Sequence, residues 1–448
     1  MIEDLYSKYA GTGYRVTTDS RAIRGGEMFF ALRGENFDGN DYALKALESG
    51  ASWAVVNEDV PLPDNPGLIR VQDPFATLQE LAIYHRQHVL GDRHLPVIGL
   101  TGTNGKTTTK EFIREVLAAK YRVTATEGNL NNDIGVPLSI LKITPDTGIA
   151  VIEMGANHPD DIAKLVKVSQ PDYGLITNVG KAHLLGFGSF EGVKAAKGEL
   201  YKWLGEHRGS VIFLNEDDAD LREMAAAQPC HTFGYGIGHQ GVELLPTDAE
   251  NPFLRLRVPT YDGGSRVIST NLVGAYNANN VLAALAIGKY FDVPFDDAVK
   301  AIEAYCPKNN RSQLMRAGSN TLIVDAYNAN PSSMAVAIAN FAEFRSGKKL
   351  ALLGDMRELG EDSVKEHVTV VRKLTDAGLD ACLVGEEFRK ALEKTGAGKN
   401  TACPCIQWFA TSEELTDWLA ARTFSDTAFL VKGSRGIRME NVLKALVG

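Results

Sequence analysis

Cysteine is scarce: the 448 residues hold five, at Cys230, Cys306, Cys382, Cys403 and Cys405. An odd, mostly scattered set argues against a disulfide framework and suits reduced thiols. Cys403-Pro-Cys405 resembles half a metal site, but no second Cys/His pair stands nearby to complete it. No apolar run reaches transmembrane length, and Met1-Ile-Glu-Asp4 lacks the basic and apolar regions of a signal peptide. The expectation is a cytoplasmic protein without membrane insertion. A positive excess is also missing: net charge is −9 and basic residues are spread along the chain, which argues against a nucleic-acid surface. Repeats and low-complexity tracts are absent. The length corresponds to about three domains, and 44% hydrophobic with 23% charged residues leaves each enough material for a core.

Glycine and threonine, by contrast, concentrate in residues 99–109, Gly-Leu-Thr-Gly-Thr-Asn-Gly-Lys-Thr-Thr-Thr. The preceding run Pro96 to Leu100 is short, apolar and β-branched, as a buried parallel strand would be. Phe112, Ile113, Val116 and Leu117 then recur at one-face helical spacing, which predicts a helix over Thr107 to Ala119. Strand, glycine loop and helix start together form a polyphosphate cradle, because backbone N–H groups and the helix dipole converge on phosphate oxygens. Lys106 would reach the β/γ-phosphates and Thr107 would ligate Mg²⁺. Leu100 stands where the strict phosphate-loop pattern has its first glycine, and Gly102 comes two residues late. The plainer reading is a glycine turn capping a helix.

Residues 1 to 93 read as a small α/β module. Strands at Ser52 to Val56 and Gly67 to Val71 surround a helix near Tyr42 to Ser49, and an amphipathic helix over Leu78 to Val89 leads to a linker at Gly91-Asp92-Arg93. From Pro96 to Cys306 apolar runs at Gly148 to Met154, Tyr173 to Thr177 and Ser210 to Leu214 alternate with helical segments, the signature of a parallel doubly wound sheet. Leu254, Leu256 and Val258, the turn Asp262-Gly263-Gly264 and a return strand Arg266 to Val273 predict an antiparallel flank. The last part repeats the alternation, with strands at Thr321 to Asp325, Lys349 to Leu353, Ala381 to Val384 and Ala428 to Lys432, and a helix at Arg438 to Val447. The fold class is α/β, in three domains at 1–93, 94–308 and 309–448: a central phosphate-loop type sheet, mostly parallel with an antiparallel flank, and a Rossmann-like C-terminal domain.

Open α/β sheets bind ligands at the carboxyl ends of their strands, which singles out polar residues just after apolar runs. Glu153 follows such a run and could hold Mg²⁺ or merely cap a helix. His183, beyond the next strand, suits a second metal ion, a substrate phosphate or a surface loop. Lys197 falls on the helical face of Val193, Leu200 and Leu204, while Lys194 and Lys202 point away. Burial would favour a neutral amine able to form a carbamate with CO₂; the alternative is a lysine that snorkels to water. Asn277, Asn279 and Asn280 open a helix and either cap it or read a base edge. Asp325-Ala-Tyr-Asn-Ala-Asn-Pro331 joins a strand to a helix, as an N-cap turn or a ligand site.

These segments together resemble the Mur ligases, ATP-dependent amide-bond ligases of bacterial peptidoglycan synthesis. The loop Thr101 to Thr109 matches the family's phosphate loop, including its departure from the strict spacing. Asp19-Ser-Arg21, Thr126-Glu-Gly-Asn-Leu-Asn-Asn132 leading to Gly135-Val-Pro-Leu138, Glu153-Met-Gly-Ala-Asn-His158, Asp325 to Pro331 and Leu353-Gly-Asp-Met-Arg-Glu-Leu-Gly360 are similar to the branch that joins D-Ala-D-Ala to UDP-N-acetylmuramoyl-tripeptide. The Asp-Asn-Pro-Arg motif of the ligase that adds the third amino acid is absent. The resemblance implies ATP and Mg²⁺ as cofactors. It puts Gly102, Thr103, Asn104, Gly105, Lys106, Thr107 and Thr108 on the phosphates, Thr107, Glu153 and His183 on metal ions, and makes Lys197 a carbamylated lysine. Lys106, Lys197 and His183 would be catalytic. Asn277 and Asn280 would contact adenine, and Arg311 and Asp325 the phosphates and ribose, although the glycine the family shows before that arginine is Asn310 here. Ser20, Arg21 and the segment Arg33 to Gly39 would bind the UDP moiety, with Asn129 and Asn132 also on substrate. Tyr327, Asn328, Asn330 and the stretch Lys432-Gly-Ser-Arg435 would line the dipeptide side. A monomer is expected. The alternatives are a Mur or folylpolyglutamate-type ligase that adds another amino acid, and a nucleotide-binding switch without ligase chemistry.

Overall fold

The computed structural model describes residues 2–247, 251–307, 311–397 and 404–447. In the first part, α1 (Ile2–Gly11), β1 (Val16–Thr17), β2 (Met28–Phe30), the ribbon β3 (Arg33–Gly34) and β4 (Phe37–Asp38), α2 (Ala43–Glu48), β5 (Trp53–Asn57), β6 (Leu68–Val71) and α3 (Pro74–His88) follow in order. Strands pair in parallel as β1-β2-β5-β6. The helix expected from Leu78 begins four residues earlier, because Asp73 caps it by accepting from Phe75 N–H and Pro74 occupies its first position, where a missing N–H costs nothing.

The middle part runs β7 (Val97–Thr101), α4 (Lys106–Ala118), β8 (Val123–Ala125), α5 (Gly135–Leu141), β9 (Ile149–Glu153), α6 (Asp161–Ser169) and β10 (Tyr173–Ile176). It continues with α7 (Leu184–Phe187), α8 (Phe190–Glu206), β11 (Val211–Asn215), α9 (Ala219–Ala226), β12 (His231–Tyr235) and α10 (Ile237–Gln240). Its sheet is parallel throughout, in the order β12-β11-β10-β7-β9-β8. The order reverses at β7, so the crevice of this sheet opens at the end of β7. The expected hairpin forms β14 (Arg255–Pro259) and β15 (Ser265–Ser269), and β13 (Glu243–Leu245) joins them in a separate antiparallel sheet beside the parallel one. Helices α11 (Ala278–Tyr290) and α12 (Phe295–Ala304) close this part. Across Gly91 to Arg93 the first and middle parts share one apolar core, in which Leu5, Tyr9 and Leu78 pack with Val136, Ile140 and Leu165.

The last part comprises β16 (Gln313–Ala317), β17 (Asn320–Asp325), α13 (Pro331–Glu343), β18 (Lys348–Gly354), α14 (Ser363–Asp376), β19 (Asp380–Val384), α15 (Glu386–Thr395), β20 (Ile406–Phe409), α16 (Ser412–Ala420), β21 (Thr427–Lys432) and α17 (Leu443–Val447). The sheet order is β16-β17-β21-β18-β19-β20, parallel except for edge strand β16. The helix expected over Arg438 to Val447 is instead a 3-10 turn at Met439–Val442 followed by the short α17. Arg438, with φ +58° outside the right-handed helical region, separates that turn from a preceding 3-10 turn at Arg435–Ile437. Cys403 and Asn310 lie outside the described residues, and Cys405 is exposed. No helix among the described residues is long and apolar enough to cross a membrane.

Candidate active site

The carboxyl ends of β7, β9 and β10 in the middle sheet and of β17, β18 and β21 in the last sheet turn toward one cleft of about 1000 Å³. Its floor is the loop between β7 and α4. Leu100, at the place of the missing glycine, is fully buried within β7, so that position belongs to the core and not to the loop. The glycines the loop needs are Gly102 and Gly105. At Gly102 φ is +146° and a Cβ would lie 1.9 Å from Thr177 Oγ1; at Gly105 φ is +79° and a Cβ would lie 2.8 Å from Asn280 Oδ1.

The tail of β10 clamps the loop. Asn104 N–H donates to Asn178 Oδ1 at 3.0 Å, Thr177 Oγ1 donates to Asn104 O at 2.6 Å, and Gly180 N–H donates to Thr103 Oγ1 at 2.9 Å. Lys106 Nζ folds over the loop onto the carbonyls of Gly102 (2.7 Å) and Thr103 (3.2 Å). Burial lowers its pKa, against the attraction of Glu153. Thr107 and Thr108 line the cleft from the first turn of α4.

Glu153 ends β9 beside this loop and is 1% exposed. Its Oε1 accepts from Asn131 Nδ2 at 2.9 Å and from Thr107 Oγ1 at 3.2 Å, while its buried Oε2 has no partner among the described residues. A buried carboxylate oxygen without a partner is costly unless a cation meets it. Two hard oxygen donors in contact fit Mg²⁺, which takes one or two protein ligands and completes its shell with phosphate oxygens and water. Among the described residues no group of three or more His, Cys, Asp or Glu forms a self-sufficient metal cage.

Lys197 lies on the apolar face of α8, as its helical spacing predicts, and is buried. Burial, helped by the nearby ammonium of Lys106, lowers its pKa to about 7. Its Nζ has no hydrogen-bonding or ion-pairing partner among the described residues and stands 5.8 Å from the Phe187 ring centre. It does not snorkel. Lys194, on the other face, is engaged by Asp220 and Glu223. His183 lines the cleft, and its Nδ1 pairs with Glu358 from the last part. Burial lowers its pKa while Glu358 opposes the shift.

The facing wall comes from the last part. The Arg311 guanidinium lies 3.6 Å over the Tyr327 ring, with that of Arg435 at 5.7 Å. Asp325 and Lys432, register partners at the ends of β17 and β21, form an ion pair in which Lys432 is buried and Asp325 half-buried, and Lys432 Nζ also donates to Asn328 O at 3.3 Å. Asn330 caps α13 through Oδ1, as the N-cap reading expects, and donates from Nδ2 to Asn104 Oδ1 on the phosphate loop at 2.8 Å. Asn277 and Asn280 reach the cleft, but they also bond one another and Val273 O and Thr109 Oγ1, so much of their capacity is spent within the protein. Asn129 and Asn132 line the same cleft, with Asn132 Oδ1 accepting from Gly135 N–H.

Ser20 and Arg21 lie outside this cleft, in a 3-10 turn of the first part where Arg21 is paired with Asp19. In the segment 33–39, Arg33 pairs with Asp38 and Asp59, and Phe37 is exposed. Three site residues escape a reading of the sequence: Asn131 on Glu153, Asn178 under the loop and Glu358 on His183. Asn131 sits inside an asparagine-rich motif and Glu358 inside the stretch Leu353 to Gly360, but neither motif says which side chain it meets, and Glu358 is 175 positions from its partner.

Residues 13–91 match the Mur ligase family catalytic domain, 100–288 the Mur ligase middle domain and 310–435 the Mur ligase glutamate ligase domain. The chain is 35% identical to the Escherichia coli UDP-N-acetylmuramoyl-tripeptide--D-alanyl-D-alanine ligase, over 96% of this chain and 93% of that one. A crystal structure of MurF from Acinetobacter baumannii superposes with a TM-score of 0.83 at 31% identity, covering 97% of this chain and 93% of the other. MurF ligase from Thermotoga maritima, in complex with ADP, superposes with a TM-score of 0.82 at 28% identity, covering 96% of each.

Proposed function

The chain belongs to the Mur ligase family, and from that premise we propose that it joins D-Ala-D-Ala to UDP-N-acetylmuramoyl-tripeptide with ATP, in peptidoglycan precursor synthesis. The observation that carries the reading is Glu153, a buried carboxylate with an unpartnered oxygen beside Thr107 on the phosphate loop. It supports a site for a metal–nucleotide complex next to a surface rich in cations. Mg²⁺ held by Thr107 and Glu153 would neutralise charge between the nucleotide phosphates and an incoming carboxylate.

The chain's own residues account for the rest. Residues Gly102 to Thr108 cradle the phosphates, and the ammonium of Lys106 moves from its loop carbonyls to the β/γ oxygens, where it stabilises the charge passing from ATP to the peptide carboxylate. The γ-phosphoryl group leaves ADP and bonds to that carboxylate, giving an acyl phosphate. The dipeptide amine then attacks the acyl carbon, phosphate leaves, and an amide remains. Lys197, as a neutral amine, would add to CO₂ with loss of a proton, and the carbamate oxygens, with the imidazole of His183, would supply further ligands for a metal ion. Asn277 and Asn280 take the base, and Arg311 and Asp325 the phosphates and ribose.

Residues 1–93 hold the UDP moiety around Ser20, Arg21 and 33–39, with Asn129 and Asn132 along the peptide. Residues 94–308 hold ATP, and 309–448 bring the dipeptide past Tyr327, Asn328, Asn330 and Arg435. Closure of the last part over the middle one shields the acyl phosphate from water. The enzyme acts as a monomer in the cytoplasm, where ATP and the nucleotide-linked substrate are made. A tripeptide nucleotide labelled with ¹⁸O in its terminal carboxylate tests the chemistry. The acyl phosphate route delivers one label into inorganic phosphate; phosphate free of label would contradict it.

A further inference from the structure

His183 and Glu358 meet across the junction of the middle and last parts, and the reaction as assigned gives Glu358 no task. His183 follows β10 and Glu358 follows β18, and the Nδ1 of one pairs with the carboxylate of the other. Around them Leu185 N–H donates to Glu358 O at 3.3 Å, and Lys181 Nζ lies 2.9 Å from Glu366 Oε1. Both partners have left-handed backbone, φ +51° at His183 and φ +64° at Glu358, which few residues other than glycine adopt. Each side is held by its own sheet. Met356 N–H donates to His367 Nε2 at 3.0 Å and Arg357 N–H to Ser434 Oγ at 3.0 Å, so the backbone before Glu358 is fixed independently of His183. On the opposite side, the hydrogen bonds of Gly180 and Asn178 tie the segment leading to His183 to the phosphate loop.

We propose that Glu358 is a positioning residue for phosphoryl transfer, accepting the Nδ1 proton of His183 and so presenting the other ring nitrogen, Nε2, to the cleft. Nε2 has no hydrogen-bonding partner among the described residues, and His183 lines the cleft. A carboxylate on one imidazole nitrogen fixes the tautomer and the ring plane, and so decides what the second nitrogen can do. The carboxylate arrives from the last sheet, so His183 is held in this way only while that sheet is docked. The proposal rests on the ligase reading, which places His183 on the phosphate side.

Glu358 is 58% exposed at its side chain, so its removal leaves no cavity. Glu358→Ala is expected to lower kcat between about 10- and 100-fold with KM for all three substrates within about twofold of wild type. The melting temperature should be unchanged. Combined with His183→Gln, it should add no further loss, because both changes remove the same oriented nitrogen. An exposed ion pair without such a role would leave kcat untouched. A wild-type kcat in Glu358→Ala, or losses that multiply in the double variant, would overturn the proposal while wild-type ligation stands. Wild-type enzyme that forms no amide would instead overturn the ligase reading beneath it.

Discussion

Glu153 and Lys197 are both buried, and of the two only Glu153 lines the cleft. Glu153 is stabilised by two hydrogen bonds to one oxygen only, so in the absence of a cation its charge is a cost to the fold. Glu153→Gln should therefore lower kcat/KM by about 100-fold or more while leaving the metal-free melting temperature equal or higher, as read by phosphate release and thermal unfolding. Lys197 has its pKa lowered to about 7 by burial. Its amine is protonated and unreactive toward CO₂ below that pH and neutral above it, so activity in bicarbonate buffer should rise with pH through about 7. Lys197→Ala should lose activity and regain part of it with short carboxylic acids; full activity without them would remove the case for a carbamate. The place of Lys197 on the face of Val193, Leu200 and Leu204 was legible from helical periodicity, whereas its burial rather than snorkelling was settled by packing. The partners of Asn131 and Glu358 were not legible, although both residues lie in recognisable motifs, since each acts on a residue outside its own segment.

The element that organises the site is the loop between β7 and α4, and its shape follows from contacts made at Gly102 and Gly105. A Cβ at Gly102 collides with Thr177 in the β10 tail, so Gly102→Ala must displace either strand end or loop. ADP affinity should drop by about tenfold or more, roughly 1.4 kcal/mol, with the far-UV spectrum unchanged; calorimetric titration reads the result. The strands and helices around this loop could be placed from apolar runs and periodicity, because parallel strands buried on both faces read as continuous hydrophobic stretches. Element ends were harder to place. The Pro74 start of α3 depends on a cap at Asp73, the final helix starts only at Leu443 because the left-handed Arg438 is followed by a 3-10 turn, and short β1, β16 and β20 are too brief or too polar to stand out.

At the scale of the whole molecule, the cleft exists because the last sheet lies against the middle one. Asn330 carries both a local and a long-range task, capping α13 with its oxygen and bonding Asn104 on the phosphate loop with its nitrogen. Serine retains the cap and loses the bond to Asn104. Asn330→Ser should therefore keep stability within about 1 kcal/mol yet raise KM for ATP several-fold; unchanged nucleotide kinetics would show that the contact does not support the loop. Such pairings between separate sheets carry no signal in a local sequence window. The most direct measurement of the central claim is phosphate release with ATP, Mg²⁺ and UDP-N-acetylmuramoyl-tripeptide, with the amine donor varied and the product weighed by mass spectrometry. Release that requires D-Ala-D-Ala and yields the tripeptide nucleotide plus the dipeptide less one water is the expected result. Release driven equally well by diaminopimelate or glutamate, or by no amine at all, would contradict it.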